Sequence, residues 1–324
     1  MSAGGLRRRT GLATVTMVIG ANLPDVDAIV YLTSDASTGL AFRRGWTHGV
    51  LAMAVLPVVL TGIMLIIARV VEAYRGNRPA KRAPLPVRAS QLLLLSALSI
   101  WSHPLFDLLN TYGVRLLMPF SGRWFYGDAL FIIDPWVWAV LALGTAISLR
   151  RARAVPVGAA TATVMRRAER PARFAMGLVA AYIGAMLGTS TLGRVFVERE
   201  ATAAGAPPSQ HVMVGPLPLV PFQRNVVRAL PGRYELGELT WSIPPRYTML
   251  QAPLDANLDN AAVRAAARTP EVRRFFAWTR FPFAEIGGAG NGVAVRFEDA
   301  RYSFRGGRSF ASTTVVVDTL NESR

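Results

Sequence analysis

Long runs of apolar residues are the feature that most constrains how this chain can fold. A helix needs about 20 such residues to cross the hydrocarbon core of a membrane. Segments that approach this length are 11–32, 49–68, 91–109, 129–149 and 174–193. The second and fifth carry no charge, whereas the others contain acidic residues or a histidine. The pattern predicts an α-helical integral membrane domain of about five transmembrane or re-entrant helices.

The rest of the chain has the balanced charge of a soluble domain. Strand-like patterns occur at 234–243 and 292–297, with a β-branched run at 311–317. Helical patterns occur at 260–268 and 269–278. We therefore expect two domains, a helical membrane domain at 1–193 and a small α+β domain at 194–324.

The distribution of basic residues predicts the orientation in the membrane. The net charge is +16, and the arginines and lysines gather at the start of the chain and in the loops 69–90 and 150–173. The loops 33–47 and 110–128 hold few of them. Because basic loops stay in the cytoplasm, we expect a multi-pass protein of the bacterial inner (cytoplasmic) membrane with an extracytoplasmic C-terminal domain. Basic clusters that flank apolar runs also argue against a nucleic-acid partner.

Polar residues that interrupt the apolar segments are the candidate functional residues. Inserting one charged residue at the bilayer centre costs about 2.5–3.5 kcal/mol, so several in one domain indicate a shared partner such as a bound cation. In the predicted topology, six residues fall near the same outer end of the helices. They are Asp25, Asp27, His48, His103, Asp107 and Asp134.

The spacing of these residues favours a metal site. His103 and Asp107 are four residues apart and share one helix face. Asp25 and Asp27 can offer both carboxylates to one site if the chain bends at the proline before them. Imidazole and carboxylate ligands suit zinc, with manganese or iron as alternatives. A metal with an open coordination position can activate water for hydrolysis.

Each of these residues taken alone also has an ordinary structural explanation. Asp134 followed by Pro135 is typical of a helix start. His103 followed by Pro104 is consistent with a kinked helix and a buried histidine. A single aspartate at a membrane interface is commonly a solvated end residue. The joint placement of the six residues at one depth is what favours a site.

The same residues carry a resemblance to a known family. Residues 20–27 (GANLPDVD) resemble its PDxD motif, and 43–49 (RRGWTHG) resemble its HRGxTHS element. Residues 102–113 (SHPLFDLLNTYG) resemble its HxxxD…T.G element, and Asp134-Pro135 follows at the expected distance. The family is that of the YdjM-like membrane-bound metal-dependent hydrolases. The resemblance covers residues 11–150 and, in looser form, the C-terminal domain.

The resemblance implies a hydrolase site distantly similar to that of the zinc phospholipase C and P1 nuclease group. Asp25, Asp27, His48, His103 and Asp107 then serve as metal ligands or as the base. A lipid or another envelope phosphoester is the natural substrate class, because the site would open at the membrane surface, and membrane lipids are the expected partners. The alternative is a non-enzymatic membrane scaffold or transport component that binds a partner through its outer domain.

Two departures from the family pattern concern the ligand count. Arg43 stands where the family has a histidine before its Thr-His element. Many members also begin with a segment that supplies a further histidine, and this sequence starts after that point. We therefore expect either a Thr-His pair encoded upstream of Met1 or a reduced metal site.

Overall fold

The computed structural model describes residues 6, 9–75, 85–156, 162–289, 292–304 and 311–318, which form two compact units. The first unit comprises Met1–Asp27, Arg44–Gly127 and Ile132–Ala185. The second comprises Ala28–Arg43, Asp128–Phe131 and Met186–Arg324. Residues 194–324, predicted as one domain, all lie in the second unit, together with two short segments from the first half of the chain.

The first unit is built from helices. They are α1 (Ala13–Asn22), which continues into a 3-10 segment (Leu23–Ile29), α4 (Val50–Arg75), α5 (Ala89–Leu108), α6 (Pro135–Arg153), α7 (Ala162–Ala168) and the first half of α8 (Arg170–Ala203). Helices α1, α4 and α5 pack against one another. Leu60, Met64, Leu92 and Ile100 form a buried cluster there. Many other apolar side chains of these helices are exposed, as expected of surfaces that face lipid.

Three helices in the part of the chain that the structure describes are long and apolar enough to cross a membrane. They are Ala13–Thr33, Val50–Arg75 and Arg170–Ala203, which match the first, second and fifth predicted segments. The third and fourth segments form α5 and α6, of 20 and 19 residues. These two are less apolar because α5 contains a histidine and an aspartate and α6 ends in arginines. The helical membrane part is confirmed, and the number of crossings stays a prediction.

The second unit contains two antiparallel sheets. The first has β1 (His211–Pro216), β2 (Gln223–Leu230), β3 (Arg233–Thr240) and β4 (Arg246–Met249) in that order, with β5 (Leu254–Asp255) beside β3. The second has β6 (Pro282–Ala289), β7 (Gly292–Asp299) and β8 (Ser312–Asp318) in sequence order. Met213, Val227, Leu236, Phe281 and Phe283 belong to its main buried core. An α+β domain is therefore confirmed.

The described part of the second unit also contains short α-helices, beside the second half of α8. They are α2 (Val30–Thr33), α3 (Ala36–Phe42), α9 (Ala261–Ala267) and α10 (Pro270–Phe276). Asn260 caps α9 through the amide of Ala262, and Thr269 caps α10 with Pro270 in its first turn. The sequence predicted both helices, with Pro270 as a local signal for the second, and the two caps explain why the helices begin at these residues.

Candidate metal centre

Three chain segments of the first unit bring five of the predicted site residues together. Asp25 and Asp27 lie in the 3-10 segment after α1, where Pro24 has no amide hydrogen to continue the α-helical ladder. His48 lies in the turn before α4. His103 and Asp107 lie in the last turns of α5, one helical turn apart.

The two histidines and Asp25 form a group with the spacing of metal ligands. One ligand atom from each of Asp25, His48 and His103 lies within 4.8 Å of the other two. The Nε2 atom of His48 is 3.9 Å from Asp25 Oδ1, and that of His103 is 3.5 Å from Asp25 Oδ2. The two imidazole rings meet edge to face, with their centroids 5.2 Å apart.

Asp107 completes the cluster from the face that it shares with His103. Its Oδ2 atom is 3.2 Å from His48 Nε2 and 3.6 Å from His103 Nε2. These contacts are close but do not have hydrogen-bond geometry: Asp107 Oδ2 and both Nε2 atoms are buried without a hydrogen-bond partner. Leaving such atoms unsatisfied is costly, and the three atoms converge on one point where they could hold a ligand.

The other nitrogen of each ring is held by an oxygen atom. His103 Nδ1 is 2.7 Å from the carbonyl oxygen of Ala21. His48 Nδ1 is 3.0 Å from Thr47 Oγ1 and 3.4 Å from Asp27 Oδ2. An imidazole that donates through Nδ1 keeps the lone pair of Nε2 available. Both rings therefore present the atom that a metal needs toward the shared point.

The structure places Asp27 differently from the prediction that Asp25 and Asp27 face one point. Asp27 Oδ2 accepts hydrogen bonds from the amide of Arg44 at 2.8 Å and from Thr47 Oγ1 at 3.1 Å. It thus lies on the Nδ1 side of His48. Asp25 faces Nε2. The tight 3-10 turn separates the two carboxylates, since neighbours two residues apart do not share a helix face.

Arg44 is a site residue that the sequence reasoning missed. Its Nη2 atom lies 2.9 Å from Asp107 Oδ1, and its Nη1 atom donates to Asn110 Oδ1 at 3.0 Å. Its guanidinium also stacks on the ring of Tyr112. In the sequence, Arg44 counted only as a loop charge beside the Thr-His element. The other residue in the sequence that could have indicated this contact was Asn110, three residues after Asp107.

Asp134 has a structural role that accounts for its burial. It precedes α6 and accepts hydrogen bonds from the amides of Trp136 and Val137, both at 3.1 Å. Its second oxygen accepts one from the hydroxyl of Tyr182 at 3.2 Å. Among the described residues, the group with metal-ligand spacing does not include Asp134. The simpler explanation from the sequence, a helix cap followed by proline, fits these contacts.

The charges of the cluster favour a cation. Three carboxylates, those of Asp25, Asp27 and Asp107, lie beside the two histidines, and that of Asp107 pairs with the guanidinium of Arg44. Arg115 interacts electrostatically with Asp27. Carboxylates gathered beside imidazole nitrogens are groups that could hold a cation.

Comparison with known proteins gives the family of the chain. The family model described as YdjM inner membrane protein matches residues 2–191. No curated protein and no solved structure matches the chain. The matched region contains every residue of the cluster and confirms the YdjM part of the resemblance, whereas the hydrolase activity and the similarity to the phospholipase C and P1 nuclease group stay predictions. This chain therefore belongs to the YdjM inner membrane protein family, and it is an inner-membrane protein.

Proposed function

We propose that this protein is a membrane-bound, metal-dependent hydrolase whose metal is held by Asp25, His48, His103 and Asp107. The observation that carries the proposal is the convergence of buried polar atoms without hydrogen-bond partners, two imidazole nitrogens and one carboxylate oxygen. Asp25 adds a second carboxylate at the same point.

The separations of these atoms fit a tetrahedral metal. Two ligands that each bind at about 2.1 Å in tetrahedral geometry lie about 3.4 Å apart. The four nitrogen–oxygen separations in the cluster run from 3.2 to 3.9 Å, with Asp25 facing His48 through Oδ1 and His103 through Oδ2. Two imidazoles with two carboxylates form a donor set that zinc accepts, as do manganese and iron.

The residues around the proposed ligands prepare them for this role. Asp27 and Thr47 orient the ring of His48, and the carbonyl of Ala21 orients that of His103. Arg44 holds the second oxygen of Asp107, which leaves Oδ2 aimed at the histidines. Such outer contacts fix ring orientation and raise ligand basicity.

Hydrolysis is the chemistry that best matches this arrangement. If His48, His103 and Asp107 were the permanent ligands, the exposed Asp25 would share the fourth position with water, and a divalent metal there would supply Lewis-acid activation of that water. Asp25 has 45% of its side chain exposed, whereas that of His48 is fully buried, so a substrate reaches the cluster on the side of Asp25. Displaced from the metal by water, the same carboxylate would be the group that takes up the proton.

The place of the cluster in the helices suggests the substrate class. His48 lies two residues before α4, a candidate membrane span, so the cluster sits at the end of that helix. Phosphate groups of lipids occupy this depth of a bilayer. A lipid or another envelope phosphoester is therefore the proposed substrate.

The metal is tested first, by elemental analysis of detergent-purified protein. We expect stoichiometric zinc, manganese or iron in the wild type and its loss in His48→Ala and His103→Ala. The matched control is His211→Ala, because His211 is the third histidine of the chain and its Nε2 atom lies 2.6 Å from Arg280. Burial and the Arg280 guanidinium lower the pKa of His211. Equal metal content in all four proteins would contradict the proposal.

Activity is tested on vesicles of membrane phospholipids by mass spectrometry of the released headgroups or phosphate. We expect turnover by the metal-loaded wild type, and its loss on chelation and in Asp107→Asn. Metal-loaded protein without turnover on any phospholipid or envelope phosphoester would favour the scaffold or transport alternative.

A further inference from the structure

Two neighbouring loops of the second unit leave the first sheet at the same end. One loop, 217–222, joins β1 to β2, and the other, 241–245, joins β3 to β4. The amide of Trp241 donates to the carbonyl of Phe222 at 2.8 Å. The bases of the two loops are therefore adjacent, and their tips project from one edge of the domain.

The tips of both loops are apolar and uncharged. Leu219, Phe222 and Ile243 are 64%, 57% and 104% exposed. Neither loop contains an acidic or basic residue, and both are rich in proline. Large apolar side chains grouped at one edge of a domain mark an interaction surface.

Contacts with α8 fix the level of this edge along a candidate membrane span. Arg224, two residues after Phe222, donates to the carbonyl of Met186 at 3.2 Å and to Thr189 Oγ1 at 2.7 Å. Arg228, further along β2, bonds Glu198 at 3.1 Å. Strand β2 therefore runs beside α8, with its loop end toward the earlier residues of the helix.

Those earlier residues belong to the apolar part of α8. The uncharged run 174–193 has the length of a membrane crossing, and it lies within the candidate span Arg170–Ala203. At 1.5 Å per residue, positions 186–189 lie about 6–11 Å before the end of that run. Trp241, at the base of the second loop, packs against Phe196 with ring centroids 6.4 Å apart, and a Cβ atom added at Gly193 would lie 3.7 Å from its ring. The loops therefore leave the sheet level with the end of the apolar run and extend toward the earlier residues of α8.

We propose that loops 217–222 and 241–245 form a lipid anchor that inserts Leu219, Phe222 and Ile243 into the acyl–headgroup boundary. The leaflet is the one at the C-terminal end of α8. Trp241, at the base of the second loop, is of the residue type that favours this boundary. Arg246 follows that loop with an exposed side chain, within reach of lipid phosphates.

Site-specific labels can test this directly, because the chain has no cysteine. Leu219→Cys and Ile243→Cys each place one fluorophore on the proposed anchor of the full chain. Pro231→Cys is the matched control, since residue 231 is exposed in the β2–β3 turn at the opposite end of the sheet. Each labelled protein is reconstituted into vesicles of phosphatidylcholine and phosphatidylglycerol without other proteins.

We expect brominated lipids to quench the labels at 219 and 243 and to leave the label at 231 unquenched. Aqueous iodide should show the reverse order, with several-fold weaker quenching at the two loops. Equal iodide quenching at all three positions would overturn the proposal. Protection of the loops in native membranes but not in the pure lipid vesicles would also overturn it, because a protein would then be the partner.

Discussion

At the scale of single residues, the two carboxylates of the Asp25-Val26-Asp27 segment have different surroundings. Asp25 has a side chain 45% exposed and faces Nε2 of both histidines. Asp27 has a side chain 1% exposed and faces Nδ1 of His48. The first is therefore proposed as a ligand, and the second as a positioning residue that acts through His48.

This division of roles predicts different effects on metal affinity. Removing an outer carboxylate typically weakens metal binding about 10–100-fold, so Asp27→Asn should bind metal weakly but fill at saturating concentration. His48→Ala should fail to fill at any practical concentration. Competition with a chromophoric chelator measures both. If Asp27→Asn failed in the same way as His48→Ala, Asp27 would have to be a direct ligand.

At the scale of secondary-structure elements, Asp134 acts at the start of α6. Its carboxylate satisfies two amides that the helix leaves without a partner. Replacing a capping residue by alanine typically costs about 1 kcal/mol. Asp134→Ala should therefore lower the thermal stability of the purified protein, and Asp134→Ser, which retains a capping oxygen, should lower it less. Metal content should stay at the wild-type level in both, and its loss would return Asp134 to the ligand set.

The packing of α1 on α5 depends on a glycine. A Cβ atom added at Gly20 would lie 2.1 Å from Ser99 Oγ and 3.3 Å from Leu60 Cδ2, whereas one at Gly62 would meet nothing within 4 Å. Overpacking costs about 1–3 kcal/mol, so Gly20→Ala should destabilise the detergent-solubilised protein. Gly62→Ala in α4 is the matched control and should be neutral or stabilising. Equal melting temperatures for both variants would show that α1 and α5 are less tightly packed than the distances at Gly20 indicate.

The elements and the cluster differ in how far the sequence predicts them. The long helices, α9, α10 and the strands β3, β7 and β8 follow from local apolar or β-branched patterns and were predicted, whereas the strands β1, β2 and β6 were not. The convergence of Asp25, His48, His103 and Asp107 was also predictable from the sequence. Successive helices run in opposite directions, so residues late in one helix and early in the next lie at the same end. Pro135 indicated that Asp134 could cap a helix instead of binding a metal. The sequence alone could not decide between these two roles.

Features that depend on backbone conformation could not be predicted from the sequence. The separation of Asp25 from Asp27 depends on a 3-10 turn. The approach of Arg44 to Asp107 occurs with Arg44 in the left-handed region, at φ 53°, which few non-glycine residues adopt. Segments 28–43 and 128–131 belong to the second unit through tertiary contacts, for which the sequence pattern gave no indication.

At the scale of the whole molecule, the distribution of basic residues predicts which side of the membrane each part faces. The stretch 150–173, from the end of α6 to the start of α8, is rich in arginine and should be cytoplasmic. Because the apolar run of α8 follows this stretch and lies in a candidate span, the chain after it should be external. The proposed hydrolase would then face envelope lipids from the outer side.

Two single cysteines test this orientation in a chain that has none of its own. Ala154→Cys lies in an exposed position after α6, and Ala204→Cys in an exposed position after α8. A membrane-impermeant maleimide applied to spheroplasts should label the cysteine at 204, and should label the one at 154 only after lysis. Both substitutions replace alanine, so differences in reactivity report the side of the membrane once labelling after lysis is equal. The reverse pattern would place the C-terminal domain in the cytoplasm, and an envelope substrate would then be out of its reach.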